Sequence, residues 1–324
     1  GEHGGEIVYS GSIVMPGPPL LLKATKPAGE SVLALLKNEL QHALIDADND
    51  AEVHCVIIKG AGKDFCAGYD LQDRTMMKSD EYKNLRERHG LSNTRVGSEE
   101  WNKKLRGFSN FEDDLYNLER TQRFVMQIFD MHKPVIACVH GQCLAGGVGL
   151  ATLCDIIVCT EDCKFGFPPA RDFGVLPVNM MLYHLGPQWT KRILLTGDSI
   201  LGSDAQKLGL ALKALPTRAE AEQECHAIAD RMALIPTGLL AANKRSVNLG
   251  LELIGARTAQ RLNATLDARG HQSGTWFTGM NEAAAKAGGL ANLIKNRNKQ
   301  FGGGIAHSDS ADDRLREFIK KSNL

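Results

Sequence analysis

The sequence predicts an α/β fold, and three observations predict it. Val135–Val139 is a continuous apolar run that reads as a buried strand, and Asp155–Cys159 reads as a second. Between them lie a glycine-studded turn and a short apolar helix, Gly147–Leu153, so strand, turn, helix and strand follow one another directly. Strand-like pieces dominate the first half of the chain and helix-like pieces the second, with no polar linker between.

Taken in order, Ile7–Tyr9, Ile13–Met15 and Leu20–Leu22 are short apolar pieces broken by Gly and Pro, as near a sheet edge. Ser31 is placed to cap a helix running to about Ala47, with Leu33, Leu36, Leu40 and Ala43 on one face. Val53–Lys59 is the next strand, and Gly60–Ala61–Gly62 turns the chain into KDFCAGYDL (63–71). Residues 72–112 are highly charged with few aliphatics and read as an exposed, partly helical insertion, either a lid or a passive decoration. Leu115, Leu118, Val125, Ile128 and Phe129 mark a helix that Lys133–Pro134 terminates. After Pro177, helices are expected at 188–195, within 195–210, and at 217–234, 237–249, 255–270 and 278–296, with a short strand at 212–215. The tail from Gly302 reads as an appendage.

Composition narrows the function. The chain has 324 residues, 43% hydrophobic and 23% charged, with a formal net charge of zero, which gives no footprint for nucleic acid or an anionic membrane. No apolar run approaches the ~20 residues of a membrane span. Eight cysteines lie mostly in apolar strands or the glycine turn without CxxC pairs, so reduced thiols in a cytoplasm or organelle matrix are expected, and no metal centre. The acidic, Gly-rich start GEHGGEIVYSG argues against a retained targeting peptide. Glycines between a strand and a helix let the backbone approach a ligand and aim free N–H groups at developing negative charge.

Three segments, KDFCAGYDL at 63–71, KPVIACVHGQCLAGGVGLATLCDIIV at 133–158 and FG…GVLP at 165–177, resemble the crotonase (enoyl-CoA hydratase/isomerase) superfamily. Two weaker ones, LTGDSILGSDAQKLGL at 195–210 and KNRNKQFGG at 295–303, follow in the same order. The resemblance implies a crotonase-like spiral of stacked ββα units over residues 1–215, a helical C-terminal region at 216–304 used for trimer or hexamer contacts, and a tail at 305–324. It implies an acyl-CoA thioester as substrate, with CoA as part of the substrate and no separate cofactor. By the same resemblance, the oxyanion donors are the backbone N–H groups of Tyr69 and Gly146, and the backbone of Ala67, Tyr69, Asp70 and Leu71 grips CoA. Lys26 stands where relatives place a base near the CoA phosphates, although a solvated lysine fits equally; Asp70 is also placed to cap the following turn.

The resemblance also exposes departures. The position of the first hydratase glutamate holds Gly149, and that of the second holds Pro169 or Ala170, depending on where one extra residue is placed. Asp172 is the one acid in that loop; it is either a proton shuttle or half of an ion pair with Arg171. Phe167, with Phe173, Met180 and Met181, either lines an acyl pocket or belongs to the core. Asp155 reads as structural and His140 as a packed, hydrogen-bonded imidazole; His89, Glu87, Glu99 and Glu100 of the insertion are further candidates. The leading function is an enzyme that stabilises a thioester enolate or oxyanion during hydration, isomerisation or hydrolysis. Its rivals are a non-catalytic acyl-CoA binder and a dinucleotide oxidoreductase. The last is disfavoured because Thr152 stands where GxGxxG needs its third glycine.

Overall fold

A computed structural model of the chain describes residues 5–11, 21–23, 33–68, 111–272 and 286–308. The predicted strand at 13–15, Lys26, Tyr69, Asp70, Leu71, nearly all of the 72–112 insertion with its His89 and glutamates, and most of the tail lie outside them.

The elements before the central turn are β1 (Gly5–Gly11), β2 (Leu21–Lys23), α1 (Leu33–Asn49), β3 (Val53–Gly60), α2 (Phe111–Asp130) and β4 (Val135–Val139). After it come β5 (Gln142–Leu144), α3 (Gly146–Ala151), β6 (Ile156–Thr160), β7 (Lys164–Gly166), α4 (Met181–Thr196), β8 (Ser199–Leu201), α5 (Gly202–Lys207) and β9 (Lys213–Leu215). Four helices close the described chain: α6 (Arg218–Ala233), α7 (Thr237–Leu253), α8 (Ala256–Gln272) and α9 (Leu290–Lys299).

The main sheet has the order β2-β1-β3-β4-β6-β9; β1 is antiparallel to both neighbours, and β3, β4, β6 and β9 run parallel. A second layer, β5-β7-β8, is extended by isolated bridges from Cys66 to Cys143 and from Ser199 to Ile305. Each of three successive passes therefore gives a long strand to the first sheet and a short piece to the second: β3 then Cys66, β4 then β5, β6 then β7. This is a spiral of stacked ββ units, as expected.

The parallel strands are apolar on both faces because both are covered. Val135, Ala137 and Val139 enter the larger core, while Ile136 and Cys138 face Ala221, Cys225 and Ala229 of α6. Thr217 begins α6 with a capping box closed by Glu220. The helix expected at 188–195 starts earlier, at Met181, and kinks at Gly186 (φ 69°, ψ 176°) before Pro187, so the sequence reading found only its second half. β5, β7 and β8 went unpredicted because three residues each are too few to carry a period.

One buried ion pair ties the helical region to the sheet. Lys244 of α7 donates to the carbonyls of Ile128 (2.7 Å) and Lys133 (3.1 Å) and to Asp155 (2.8 Å). Asp155 also accepts the N–H of Val135 at 2.7 Å, which bears out its structural reading. Burial pushes the Asp155 carboxyl up from its ordinary range, against the pull of Lys244. Leaving that carboxylate without its cation is the costly step. Lys244→Met is expected to lower unfolding free energy by about 3–5 kcal/mol, measured by urea denaturation. A loss below about 1 kcal/mol would contradict this role.

Candidate functional site

The site is built where two glycine turns from distant parts of the chain meet. Residues 65–68 lie beside residues 140–145. Phe65 N–H donates to the His140 carbonyl (2.8 Å), Cys66 N–H to the Gln142 carbonyl (2.9 Å), and Leu144 N–H to the Cys66 carbonyl (2.9 Å). On the other flank, Ala145 N–H donates to the Gly166 carbonyl at 3.0 Å. Arg218, at the start of α6, braces the first turn by donating to the carbonyls of Gly60 and Gly62, each at 2.8 Å.

This closeness requires missing side chains. A Cβ on Gly147 would lie 2.6 Å from the Cys66 carbonyl oxygen and 2.8 Å from the Cys66 Cβ. One on Gly141 (φ +60°) would lie 2.3 Å from the Lys63 carbonyl oxygen. Gly68 (φ +106°) stands against Ala145, whose Cβ would be 3.1 Å from a Cβ built on Gly68. Ala145 itself has φ 53° and ψ −116°, a conformation that costs a non-glycine residue about 1–3 kcal/mol.

The strained residue delivers the chain into α3, which begins at Gly146. N–H groups in a first helical turn have no intrahelical acceptor, and Gly146 is half-buried between the buried Ala145 and Gly147. α3 has only six residues, so its dipole adds little. Ala67 is exposed.

Gly149 lies on the same short helix. A Cβ there would meet the Val178 carbonyl oxygen at 3.3 Å, the Val178 Cβ at 3.4 Å and Leu176 Cδ1 at 4.0 Å. The wall facing Gly149 is the loop that follows β7. Phe167 is buried in the main core at its start, and Pro168–Arg171 form a 3-10 turn.

Asp172 follows that turn and pairs with Arg297 of α9, not with Arg171; its side chain is 43% exposed. Burial raises its pKa above the usual carboxylate range, while Arg297 pulls it down. Arg171 turns inward instead. Its Nε donates to the Thr196 carbonyl, its two terminal nitrogens donate to Asn298 and Asp198, each of the three at 3.0 Å, and its guanidinium lies 4.0 Å from the centre of the Phe301 ring.

Further along the loop, Asp267 of α8 accepts the N–H of Val175 at 2.8 Å and sits 3.5 Å from His271 Nε2. Sequence reasoning missed Arg297, Asp267 and His271. Aspartate and histidine four apart in the last turn of a predicted helix were the available signal for the latter two; Arg297 sits in a charge run that reads as solvated. His140 behaves as the packed imidazole expected: Nε2 is 2.9 Å from the Gly62 carbonyl, and burial lowers its pKa.

The spacing of the two turns is testable by one methyl group. Gly147→Ala is expected to push the Cys66 segment away and to lower the unfolding free energy by about 1–3 kcal/mol. Urea denaturation checks this, and a loss below about 0.5 kcal/mol would contradict it.

Comparison with known proteins shows the family. A family model described as enoyl-CoA hydratase/isomerase matches residues 105–275. The chain is 30% identical over 229 residues to a peroxisomal delta(3,5)-delta(2,4)-dienoyl-CoA isomerase of Arabidopsis thaliana, covering 67% of this chain and 74% of that protein. It is 25% identical over 287 residues to a probable enoyl-CoA hydratase of Bacillus subtilis, covering 87% and 95%. The crystal structure of an enoyl-CoA hydratase from Mycobacterium smegmatis superposes with a TM-score of 0.69 at 27% identity, covering 85% of this chain and 88% of that one. By fold and sequence together, the chain belongs to the enoyl-CoA hydratase/isomerase family of the crotonase superfamily.

Proposed function

We propose that this protein shifts the double bond of an unsaturated acyl-CoA, holding the thioester oxygen of the enolate between the backbone N–H groups of Gly146 and Tyr69. The observation that carries this reading is the ladder that pairs Cys66 with Cys143 and sets Gly68 against Ala145. Two amides converging on one oxygen stabilise the charge that builds there when a proton leaves the α carbon, and each donor is worth about 3 kcal/mol. CoA enters as part of the substrate, gripped by the backbone near Ala67, Asp70 and Leu71 with Lys26 toward its phosphates, and no other cofactor is needed.

Hydration by two carboxylates fits poorly. Gly149 offers no acid, and Val178 and Leu176 fill the space beside it. Pro169 and Ala170 offer none on the opposite side, and Asp172 is engaged by Arg297. A bond shift needs only one group to take a proton from one carbon and return it to another.

Self-assembly, as a trimer or hexamer, would cover the apolar side chains that the helical region leaves outside. Leu239, Val247 and Leu253 of α7 and Leu262 and Leu266 of α8 are all exposed in the single chain. The eight free thiols fit a reducing compartment. Among the described residues, no helix is long and apolar enough to cross a membrane.

The test is a panel of α,β- and β,γ-unsaturated acyl-CoAs followed by absorbance and chromatography. The expected result is conversion of β,γ to α,β isomers, with hydration slower by about a hundredfold or more. Gly149→Glu is expected not to restore hydration, because the new side chain meets Val178. Hydration as fast as isomerisation in the unaltered protein, or binding without turnover across the panel, would overturn the proposal.

A further inference from the structure

We propose that His271 carries the substrate proton in this site, with Asp267 as its positioning residue. The proposal rests on the bond-shift reading above and supplies the base that reading lacks. His271 and Asp267 are four apart in the last two turns of α8, with side chains 17% and 6% exposed. Both pack on Gly174 of the loop that faces α3. A Cβ on Gly174 (φ +154°) would lie 2.3 Å from Asp267 Oδ1 and 3.1 Å from both Cδ2 and Nε2 of His271. The loop therefore has glycine where the pair is seated.

The same loop runs along α8 over several residues. Val175 N–H donates to Asp267 at 2.8 Å, and Asn179 N–H donates to Gln260 Oε1 at 2.7 Å. Between these anchors, Leu176 and Val178 turn toward Gly149, one helical turn beyond Gly146. One short stretch of backbone thus couples the imidazole to the helix that carries the oxyanion amide.

Four of the other described histidines are committed elsewhere. His140 is held by the Gly62 carbonyl and His184 by the Thr152 carbonyl. His132 and His307 do have carboxylate partners, but those are Asp48 of α1 and Asp204 of α5, away from this loop. Asp172 lies two residues before Gly174 and is engaged by Arg297. At this loop, His271 sets an imidazole beside a carboxylate that orients it.

The step balances without a co-reactant. With Nε2 turned to Asp267, Nδ1 accepts a proton from the α carbon of a β,γ-unsaturated thioester. The C–H electron pair moves into the bond between the α and carbonyl carbons, and the carbonyl pair moves onto the oxygen held by the amides. When that charge returns, the γ carbon takes the proton back from Nδ1 and the double bond stands between the α and β carbons. No atom is gained or lost.

The experiment uses the full chain and β,γ-unsaturated hexenoyl-CoA, with butyryl-CoA as a non-reacting probe of binding. His271→Ala is expected to lower kcat by about a hundredfold to ten-thousandfold while KM and butyryl-CoA affinity stay within about threefold. Added imidazole is expected to restore part of the rate. Asp267→Asn is expected to lower kcat by about tenfold, with kcat moving more than KM. If the alanine variant does not fold, His271→Gln is measured in its place. Independently of any variant, carbethoxylation of His271 in the unaltered protein, followed by mass spectrometry, is expected to slow when butyryl-CoA is bound.

A kcat within twofold of the unaltered protein in either His271 variant would overturn the proposal. So would labelling of His271 that butyryl-CoA leaves unchanged, or loss of all turnover in Asp172→Asn with the His271 variants intact. Failure of the unaltered protein to bind butyryl-CoA would instead reject the acyl-CoA reading itself, and binding without turnover of any enoyl-CoA would reject the bond-shift reading.

Discussion

The structure depends on a short backbone ladder between residues 65–68 and 140–145, which forces two turns separated by about eighty residues of sequence into contact. Each of its hydrogen bonds is worth only about 1 kcal/mol net. Their leverage lies elsewhere, since a buried amide left without a partner costs more than the bond itself gains. Glycine at 68, 141 and 147 removes the side chains that would hold the turns apart. Ala145 stands in a glycine-like conformation between them, and its strain is held on one side by the Gly166 carbonyl and on the other by the packing of Gly68. What results is a close, fixed contact between the two turns at the start of α3.

The loop that faces α3 is held by side chains from far along the sequence. Arg171 would be expensive to bury alone, yet every bond it makes is matched: Thr196, Asp198 and Asn298 accept from it and Phe301 covers its face. Gly197 and Gly304 leave room for it, because a Cβ on either would approach the arginine side chain to 2.7 Å or 3.0 Å. Arg297 grips Asp172 from the same C-terminal segment, which is itself stitched to the edge of β8 through Ser199, Gly304 and Ala306. The loop from Phe167 to Pro177 is thus braced by α8 on one side and α9 on the other. Residues 297–306, which run from the helical region into the start of the tail read as an appendage, thus brace this loop and β8.

Much of this was legible in the sequence, for physical reasons. Val135–Val139 and its neighbours announced buried parallel strands because both faces are covered, and the glycines at 146 and 147 announced close backbone approach. The three-residue strands β5, β7 and β8 were not legible, since their second layer exists only through partners distant in sequence. The Arg171–Asp172 pair was a reasonable reading of adjacent opposite charges. Adjacent residues on a 3-10 turn point apart, however, so Arg171 goes inward to Asp198 and Asp172 outward to Arg297. Asp267 and His271 were visible only as an i, i+4 spacing, which says that they can meet but not what they meet against. Gly174 is what seats them, and nothing about one more loop glycine could announce that.

The most direct test of the account is the infrared stretch of a thioester carbonyl labelled with carbon-13 and bound as butyryl-CoA. Two amides pinching that oxygen draw charge onto it, so the stretch should fall below its value in water. In Gly147→Ala it should move back toward the solution value. A bound carbonyl that absorbs where the free one does in the unaltered protein would mean that the two turns meet without serving the oxygen between them.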